Sequence, residues 1–252
     1  MAEKHFYEQQ KHTESYLIPY FDQHLSGWRH FRILEVGCAE AGLIHVLCRN
    51  GIFVAGLELM PTRVALAKKM NPELNVQVGD ITDPGIIDRF SEPFDLIVMR
   101  DVIEHITDRK TAFKNIGSLL KPQGYLYLTF PPRFSPFAGH QQNGKSFMKY
   151  LPYLQLLPAW KIRCMGRIFQ EQESIIENTI HNFLIGLSIR NLIKLLKIHC
   201  FKPVLFECFL SRPVYRTRFG WPVIRFPNLP FFREFIATGC ECLVRKETRV
   251  KK

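Results

Sequence analysis

Short apolar runs alternate with amphipathic stretches in the middle of the chain, from residue 31 to residue 131. The apolar runs predict strands, and the stretches between them have the length and spacing of helices. Near-continuous apolar strands are typical of a sheet that is covered on both faces. The alternation therefore predicts a doubly wound, parallel α/β sheet. The predicted strands are 31–36, 52–59, 75–80, 94–100 and 125–130, and the predicted helices are 42–50, 61–70 and 108–120.

The regular alternation stops at Pro131, where the chain becomes irregular. Residues 131–187 and 211–234 are rich in proline and aromatic side chains, and we expect them to form insertions that cap the sheet. Between the insertions, leucines at helical spacing predict an amphipathic helix over 188–200. Two further strands are predicted at 203–210 and 235–246, and helical stretches at 146–157 and 170–184.

The net charge of the chain is +11, from 34 lysines and arginines against 23 acidic residues. Such a charge is typical of proteins that meet nucleic acid, an anionic membrane or an anionic substrate. Five of the basic residues lie in 245–252, where they are typical of a solvated chain end.

The cysteines and the N-terminal residues indicate the cellular compartment in which the protein is expected. Seven cysteines without a CxxC pair argue against a disulfide framework and against a zinc site, and they favour a reducing compartment. The first residues, MAEKHFYEQQKHTE, lack the apolar segment of a signal peptide. No apolar run approaches the ~18 residues of a membrane-spanning helix. We therefore expect a cytoplasmic protein.

A loop suited to a nucleotide follows the first predicted strand. Gly37 permits a tight turn and a close approach of the backbone to a ligand. The helix that begins near Gly42 directs its free N–H groups towards the polar end of such a ligand. Glu58 ends the second predicted strand, where a carboxylate can accept hydrogen bonds from both ribose hydroxyls.

Two classes of nucleotide compete for this loop. The pattern Gly-x-Ala-x-x-Gly at 37–42 is tolerable as a dinucleotide fingerprint, which would indicate an NAD-dependent dehydrogenase. The carboxylate of Glu35, however, suits the ammonium group of a methionine moiety better than it suits a pyrophosphate. Asp80 ends the third strand, where it can meet an adenine amino group. These two details favour S-adenosylmethionine (SAM).

At these positions the sequence resembles the class I SAM-dependent methyltransferases, especially the small-molecule enzymes related to ubiquinone biosynthesis. In its layout after residue 130 it is also loosely similar to methyltransferases of bacterial glycan pathways. The resemblance covers about residues 30–131 and, more weakly, the final pair of strands. It is carried by ILEVGCAEAG (33–42), LEL (57–59), VGDI (78–81), FDLIVMRDVIEHI (94–106) and LLKPQGYLYLTFP (119–131).

The resemblance implies a Rossmann-like sheet of seven strands, mostly parallel, with an antiparallel last strand. It implies that residues 31–252 form the SAM-binding domain. Residues 1–30 would form a helical lid that folds over the cofactor, and Tyr7 or Tyr16 would close it.

The resemblance also implies a role for each residue of the cofactor site. Glu35 and Gly37 would border the methionine part of SAM, in one loop with Cys38, Ala39 and Gly42. Glu58 would bind the ribose, Leu59 would pack beside the adenine, Asp80 would hold the adenine amino group and Ile81 would cover the ring. Arg100 and Asp101 would line the methyl-donor end.

The loop departs from the family at two positions. Where the family has glycines, this chain has Ala39 and Ala41, followed by Gly42. Alanine is small, so we still expect a functional loop.

Methyl transfer to oxygen requires alignment of donor and acceptor, often together with a general base. His105 follows the fourth predicted strand and His140 follows the fifth, which makes these two histidines the candidates for that base. The cluster Asp101, Glu104, His105 and Asp108 fits a single helix face only in part, so we expect no metal site.

We therefore expect SAM-dependent O-methylation of a small-molecule, glycan-like or lipid-linked hydroxyl substrate. RNA methylation is an alternative raised by the +11 charge, although no RNA-binding module is visible and nucleic acid is not the expected partner. A non-catalytic, methyltransferase-like partner protein is the alternative raised by the two alanines. Residues 212–235 are basic and aromatic, which is typical of peripheral contact with an anionic membrane.

Overall fold

The computed structural model describes residues 2–247 of the chain. Met1 and residues 248–252, the greater part of the predicted basic tail, lie outside the described residues. None of the described helices combines the length and the apolar composition needed to cross a bilayer.

Eight strands of the described residues form one sheet, in the order β3-β2-β1-β4-β5-β8-β6-β7. The first five strands pair in parallel, whereas β8 runs antiparallel to both β5 and β6 and lies between them. The strands are β1 (Ile33–Val36), β2 (Val54–Glu58), β3 (Val76–Val78), β4 (Phe94–Arg100), β5 (Leu120–Phe130), β6 (Phe201–Ser211), β7 (Ile224–Phe226) and β8 (Gly239–Lys246).

The predicted fold class, a mostly parallel Rossmann-like sheet with an antiparallel strand near its end, is confirmed. The predicted number of seven strands is wrong by one, because β7 adds a three-residue edge strand that pairs with β6. The strand signal of β7 is weak, since Pro222 and Pro227 flank it closely. The predicted strand 235–246 begins later, at Gly239, because Phe232–Ile236 is helical.

Helices cover both faces of the sheet. The N-terminal helices and α3 cover one face, where Phe21 and Leu43 are fully buried and Phe21 packs edge-on against Tyr127 of β5. On the opposite face, α5 and α8 bury Phe113 and Leu192. The helices are α1 (Ala2–His12), α2 (Ile18–His24), α3 (Gly42–Arg49), α4 (Pro61–Met70), α5 (Arg109–Leu119), α6 (Ala159–Ile168), α7 (Glu173–Ile185), α8 (Ile189–Ile198), α9 (Pro213–Phe219) and α10 (Phe232–Ile236).

Residues 2–24 are continuously helical, since a π-helical turn at Thr13–Leu17 joins α1 to α2. The predicted helix over 146–157 is wrong. That stretch holds two 3₁₀ turns, at Phe147–Tyr150 and Leu154–Leu156, because Pro152 cannot donate within a helix and Tyr153 takes a positive φ. The helix predicted at 170–184 is present as α7, and α6 precedes it.

Candidate active site

The carboxyl ends of the parallel strands open into a cavity of ≈ 500 Å³. Two groups of residues line it, and each comes from a different part of the fold. We call the first group the loop wall; it consists of Gly37, Ala39, Glu58, Leu59, Asp80 and Ile81. We call the second group the histidine wall; it consists of His12, Asp101, His105, His140, Arg212 and Glu241.

The turn after β1 demands small residues. Gly37 has a φ of 71°, and a Cβ atom there would lie 2.3 Å from Cγ2 of Val102, so that only glycine fits. Ala39 and Ala41 also take positive φ, 52° and 64°. The left-handed conformation costs an L-residue roughly 1–2 kcal/mol. The two alanines therefore adopt a left-handed backbone conformation that glycine would adopt without strain.

Glu58 ties this turn to the end of β2. Its Oε2 accepts the N–H of Ala39 at 2.8 Å and its Oε1 accepts the N–H of Met60 at 2.9 Å. The side chain is buried yet borders the cavity. The carboxylate thus braces the loop and still presents an anionic edge to the cavity.

Asp80 follows β3 on the same wall. Its Oδ1 accepts the N–H of Thr82 at 2.8 Å, and the residue is exposed to the cavity. Leu59, which is 63% exposed, and the buried Ile81 add apolar surface beside it. The loop wall therefore combines two carboxylates with apolar side chains, a combination suited to a nucleoside.

Glu35 lies behind the wall, where it forms a buried ion pair with Arg100. Nη2 of Arg100 lies 2.6 Å and Nε 3.1 Å from Oε1 of Glu35, whereas Oε2 has no partner among the described residues. Burial raises the pKa of Glu35, although Arg100 opposes this rise. Arg100 itself borders the cavity, so Glu35 orients the guanidinium group there.

Cys38 and Gly42 also lie behind the wall rather than on it. The N–H of Gly42 donates to Oε1 of Gln9 at 2.8 Å, and Nε2 of Gln9 donates to the carbonyl of Cys38 at 3.4 Å. A Cβ atom at Gly42 would lie 2.4 Å from the carbonyl oxygen of Phe6. Helix α1 is therefore fastened directly to the loop.

The histidine wall brings the two predicted base candidates together. The rings of His105 and His140 lie at right angles, with centroids 5.3 Å apart. Burial, with a contribution from His140, lowers the pKa of His105 to about 4. Burial also lowers the pKa of His140, although Asp101 opposes this shift. Both rings are thus neutral at pH 7 and able to accept a proton.

Asp101 connects the parallel sheet to the second insertion. It forms an ion pair with Arg212, and Oγ1 of Thr129 donates to its Oδ1 at 3.2 Å. Burial would raise the pKa of Asp101, but the Arg212 guanidinium outweighs that effect and holds the pKa below its ordinary value. A carboxylate therefore stays ionised beside the histidine pair.

Glu104 is a buried carboxylate next to the histidine pair. It is 4% exposed, and neither carboxylate oxygen has a hydrogen-bond partner among the described residues. Burial and the charge of Asp101 raise its pKa well above the ordinary value. One ligand atom each from Glu104, His105 and His140 lies within 4.8 Å of the others, a donor set that suits a divalent transition metal.

This set differs from the cluster weighed in the sequence. Asp108 instead caps α5, where its Oδ1 accepts the N–H of Thr111 at 3.1 Å. His140 takes its place and comes from the loop after β5. The spacing of residues along one helix face could not reveal that partner.

Three residues of the histidine wall escaped the sequence reasoning. Glu241, 2% exposed on β8, accepts the hydroxyl of Tyr16 at 3.0 Å on each carboxylate oxygen, and burial raises its pKa to about 7. Burial, reinforced by the charge of Arg100, lowers the pKa of His12 to about 3. Arg212 is the third. A signal existed for Glu241, because it is the acidic residue inside the apolar run GCECLV.

Of the two tyrosines expected to close the lid, Tyr16 therefore has a buried partner at this wall, whereas Tyr7 is 59% exposed.

Comparisons with known proteins identify related domains. A family model described as a methyltransferase domain matches residues 6–175. The ubiquinone biosynthesis O-methyltransferase of Coxiella burnetii is 29% identical over 101 residues, which cover 38% of this chain and 42% of that protein. The chain thus spans less than half of the length of this curated relative.

Solved structures share the fold. An S-adenosylmethionine-dependent methyltransferase from Mesorhizobium loti gives a TM-score of 0.57 at 14% identity, over 90% of this chain and 96% of that one. The plantazolicin methyltransferase BpumL in complex with SAH gives 0.55 at 11% identity, over 96% and 84%. At such identities the likeness shows the fold alone.

Proposed function

Because the chain belongs to the SAM-dependent methyltransferase family, whose domain model covers residues 6–175, we propose that it methylates a hydroxyl oxygen of a small-molecule acceptor. The observation that carries this proposal is the meeting, in one cavity, of the loop wall and a pair of neutral histidines. A glycan-like or lipid-linked acceptor is the class that we favour. A relative named as an O-methyltransferase supports oxygen as the methylated atom.

The cofactor of this family is SAM, which supplies a methyl group bonded to a positively charged sulfur. The loop wall fits it, since a volume of ≈ 500 Å³ lies within the usual range for small-ligand sites. In this proposal Glu58 binds the ribose and Asp80 binds the adenine amino group. Leu59 and Ile81 contact the ring. Arg100, which Glu35 orients from behind the wall, faces the methionine part.

The histidine wall handles the acceptor. The methyl group that the acceptor oxygen gains would come from SAM, whose carbon–sulfur bond would break to leave a neutral thioether. His140 accepts the hydroxyl proton on an imidazole nitrogen, and His105 holds the neighbouring ring in place. Asp101 stabilises the imidazolium that results, because its carboxylate remains ionised beside His140. The N-terminal segment, residues 1–30, acts as the lid, and the hydrogen bond from the N–H of Gly42 to Gln9 attaches it to the loop. A cytoplasmic, reducing compartment is part of this proposal, as the cysteine pattern of the sequence favours.

The test is a transfer reaction with methyl-labelled SAM and fractionated small molecules from cell extract. We expect label in a product whose methyl group is bonded to oxygen, as read by carbon-13 chemical shift. Label on nitrogen or carbon, or no labelled product with any fraction, would contradict the proposal. A parallel reaction with a chelator shows whether the histidine pair acts through a general base or as a metal site. Activity that survives chelation identifies His140 as the base, and activity restored only by added Mn²⁺ or Zn²⁺ makes the pair a metal site.

A further inference from the structure

A second groove lies apart from the cavity. It has a volume of ≈ 550 Å³ and lies between α8 and residues 230–235 of the second insertion. Phe134 of the first insertion completes its wall, with its ring centroid 5.5 Å from that of Phe235. Among the described residues, the groove and the cavity share no lining side chain. The groove thus marks the junction of both insertions with α8.

One side of α8 presents a row of cations to this groove. Arg190, Lys194 and Lys197 are exposed and lie on one side of the helix, at spacings of four and three residues. Within residues 2–247, none of these three side chains forms an ion pair. The carboxylate of Glu234 borders the groove, but it accepts the N–H groups of Ile189 and Arg190 at 3.0 and 2.7 Å. We call Arg190, Lys194 and Lys197 the cationic row.

Apolar side chains project beside the cationic row. Leu229 is 49% exposed, Phe231 69% and Phe232 54%, and we call these three the aromatic edge. The segment that carries them, residues 212–235, contains five arginines and a single acidic residue, Glu234. Water is a poor environment for so many adjoining apolar groups, and such a patch marks a surface that meets a partner.

The geometry points to the surface of an anionic phospholipid bilayer as this partner. The aromatic edge inserts among the headgroups while the cationic row binds their phosphates, the division of labour found in interfacial membrane segments. A single-stranded nucleic acid would instead need flat rings on which its bases stack. Leu229 of the aromatic edge and the neighbouring Ile236, 37% exposed, are aliphatic and offer no such ring.

Vesicle flotation of the full-length protein tests this inference. Vesicles of phosphatidylcholine alone are compared with vesicles that contain roughly one third phosphatidylglycerol, at about 0.1 M salt. We expect binding to the anionic vesicles alone. Each basic residue at such a surface contributes about fivefold, so Lys194→Glu with Lys197→Glu should lower the affinity by about 25-fold or more. Phe231→Ser with Phe232→Ser should lower it by about tenfold or more.

The matched control is Lys68→Glu with Lys69→Glu, which makes the same change of charge on α4, on the opposite face of the sheet. This control should keep full binding, and melting curves should show that all variants are folded. Equal binding to both kinds of vesicle, no binding at all, or equal loss in the control would overturn the inference. So would salt-dependent binding of tRNA that the Lys194 and Lys197 changes abolish while vesicles stay unbound. Because no SAM or acceptor is present, failure here leaves the proposed methyl transfer untouched.

Discussion

The two walls of the cavity differ in how the chain builds them. The loop wall comes from residues 37–81, and its carboxylates accept backbone N–H groups that lie two residues away or in the turn after β1. The histidine wall gathers side chains from His12 to Glu241: Arg212 forms an ion pair with Asp101, and the hydroxyl of Tyr16 donates to Glu241 from the other end of the chain. In the proposed function, the cofactor is bound by residues at neighbouring strand ends. The acceptor is bound by side chains that are distant from one another in the sequence.

The walls differ in electrostatics as well. Burial shifts the pKa of His105 to about 4 and that of Glu241 to about 7, both on the histidine wall. Shifts of this kind cluster at sites where protons move. In the proposed function the loop wall binds the cofactor and the histidine wall acts on the acceptor, and this division can be tested experimentally.

The largest effect is expected from His140→Gln. Loss of a general base lowers kcat by about 10²–10⁴-fold, while the loop wall should keep the Kd for SAM within about twofold. Turnover and calorimetry on the same preparation measure the two quantities. His30→Gln, a change of an exposed histidine in the turn before β1, is the control. A variant that loses SAM affinity together with kcat would show that the walls are not separate.

Glu241→Gln should change how stability depends on pH. The pKa of Glu241 is about 7 in the folded protein, against an ordinary value of 4.5, so the folded protein keeps a proton that the unfolded chain releases. Raising the pH from 4.5 to 7 therefore destabilises the wild type, by up to about 3 kcal/mol. Urea titrations should show the variant gaining on the wild type across this window and holding its gain above it. Glu73→Gln, at an exposed site, should give a flat difference. A flat difference for Glu241→Gln would refute the burial argument.

The smallest effect is expected in the pH dependence of kcat/KM. A lowered pKa keeps His140 neutral below the ordinary histidine value of 6.5, so activity should fall only at a more acidic pH. Arg212→Gln removes a cation that lowers the pKa of His140. The change also takes away the ion-pair partner of Asp101, whose negative charge raises the pKa of His140. The acid limb should therefore move upward. Movement towards lower pH would exclude His140 as the titrating group.

Sequence reasoning placed Glu58 and Asp80 at one cavity because the carboxyl ends of parallel strands meet at the same edge of a sheet. His105 and His140 follow β4 and β5, so the same reasoning predicts that they lie at this edge, and their rings do lie close together. The ion pair of Arg212 with Asp101 could not be predicted in this way. Arg212 follows β6, and the place of β6 in the sheet depends on its long-range pairing with β8. The helix predicted from hydrophobic periodicity at 146–157 is likewise wrong, because one proline interrupts a stretch that otherwise has helical spacing.

Calorimetric titration of SAM into the wild type and Glu58→Ala tests most directly whether the loop wall binds the cofactor. Loss of the carboxylate should weaken binding by roughly 1–3 kcal/mol, because the partner groups lose their acceptor. Glu73→Ala should bind as the wild type does, and melting curves should show that Glu58→Ala is folded. An unchanged SAM affinity in folded Glu58→Ala would contradict the assignment of this wall.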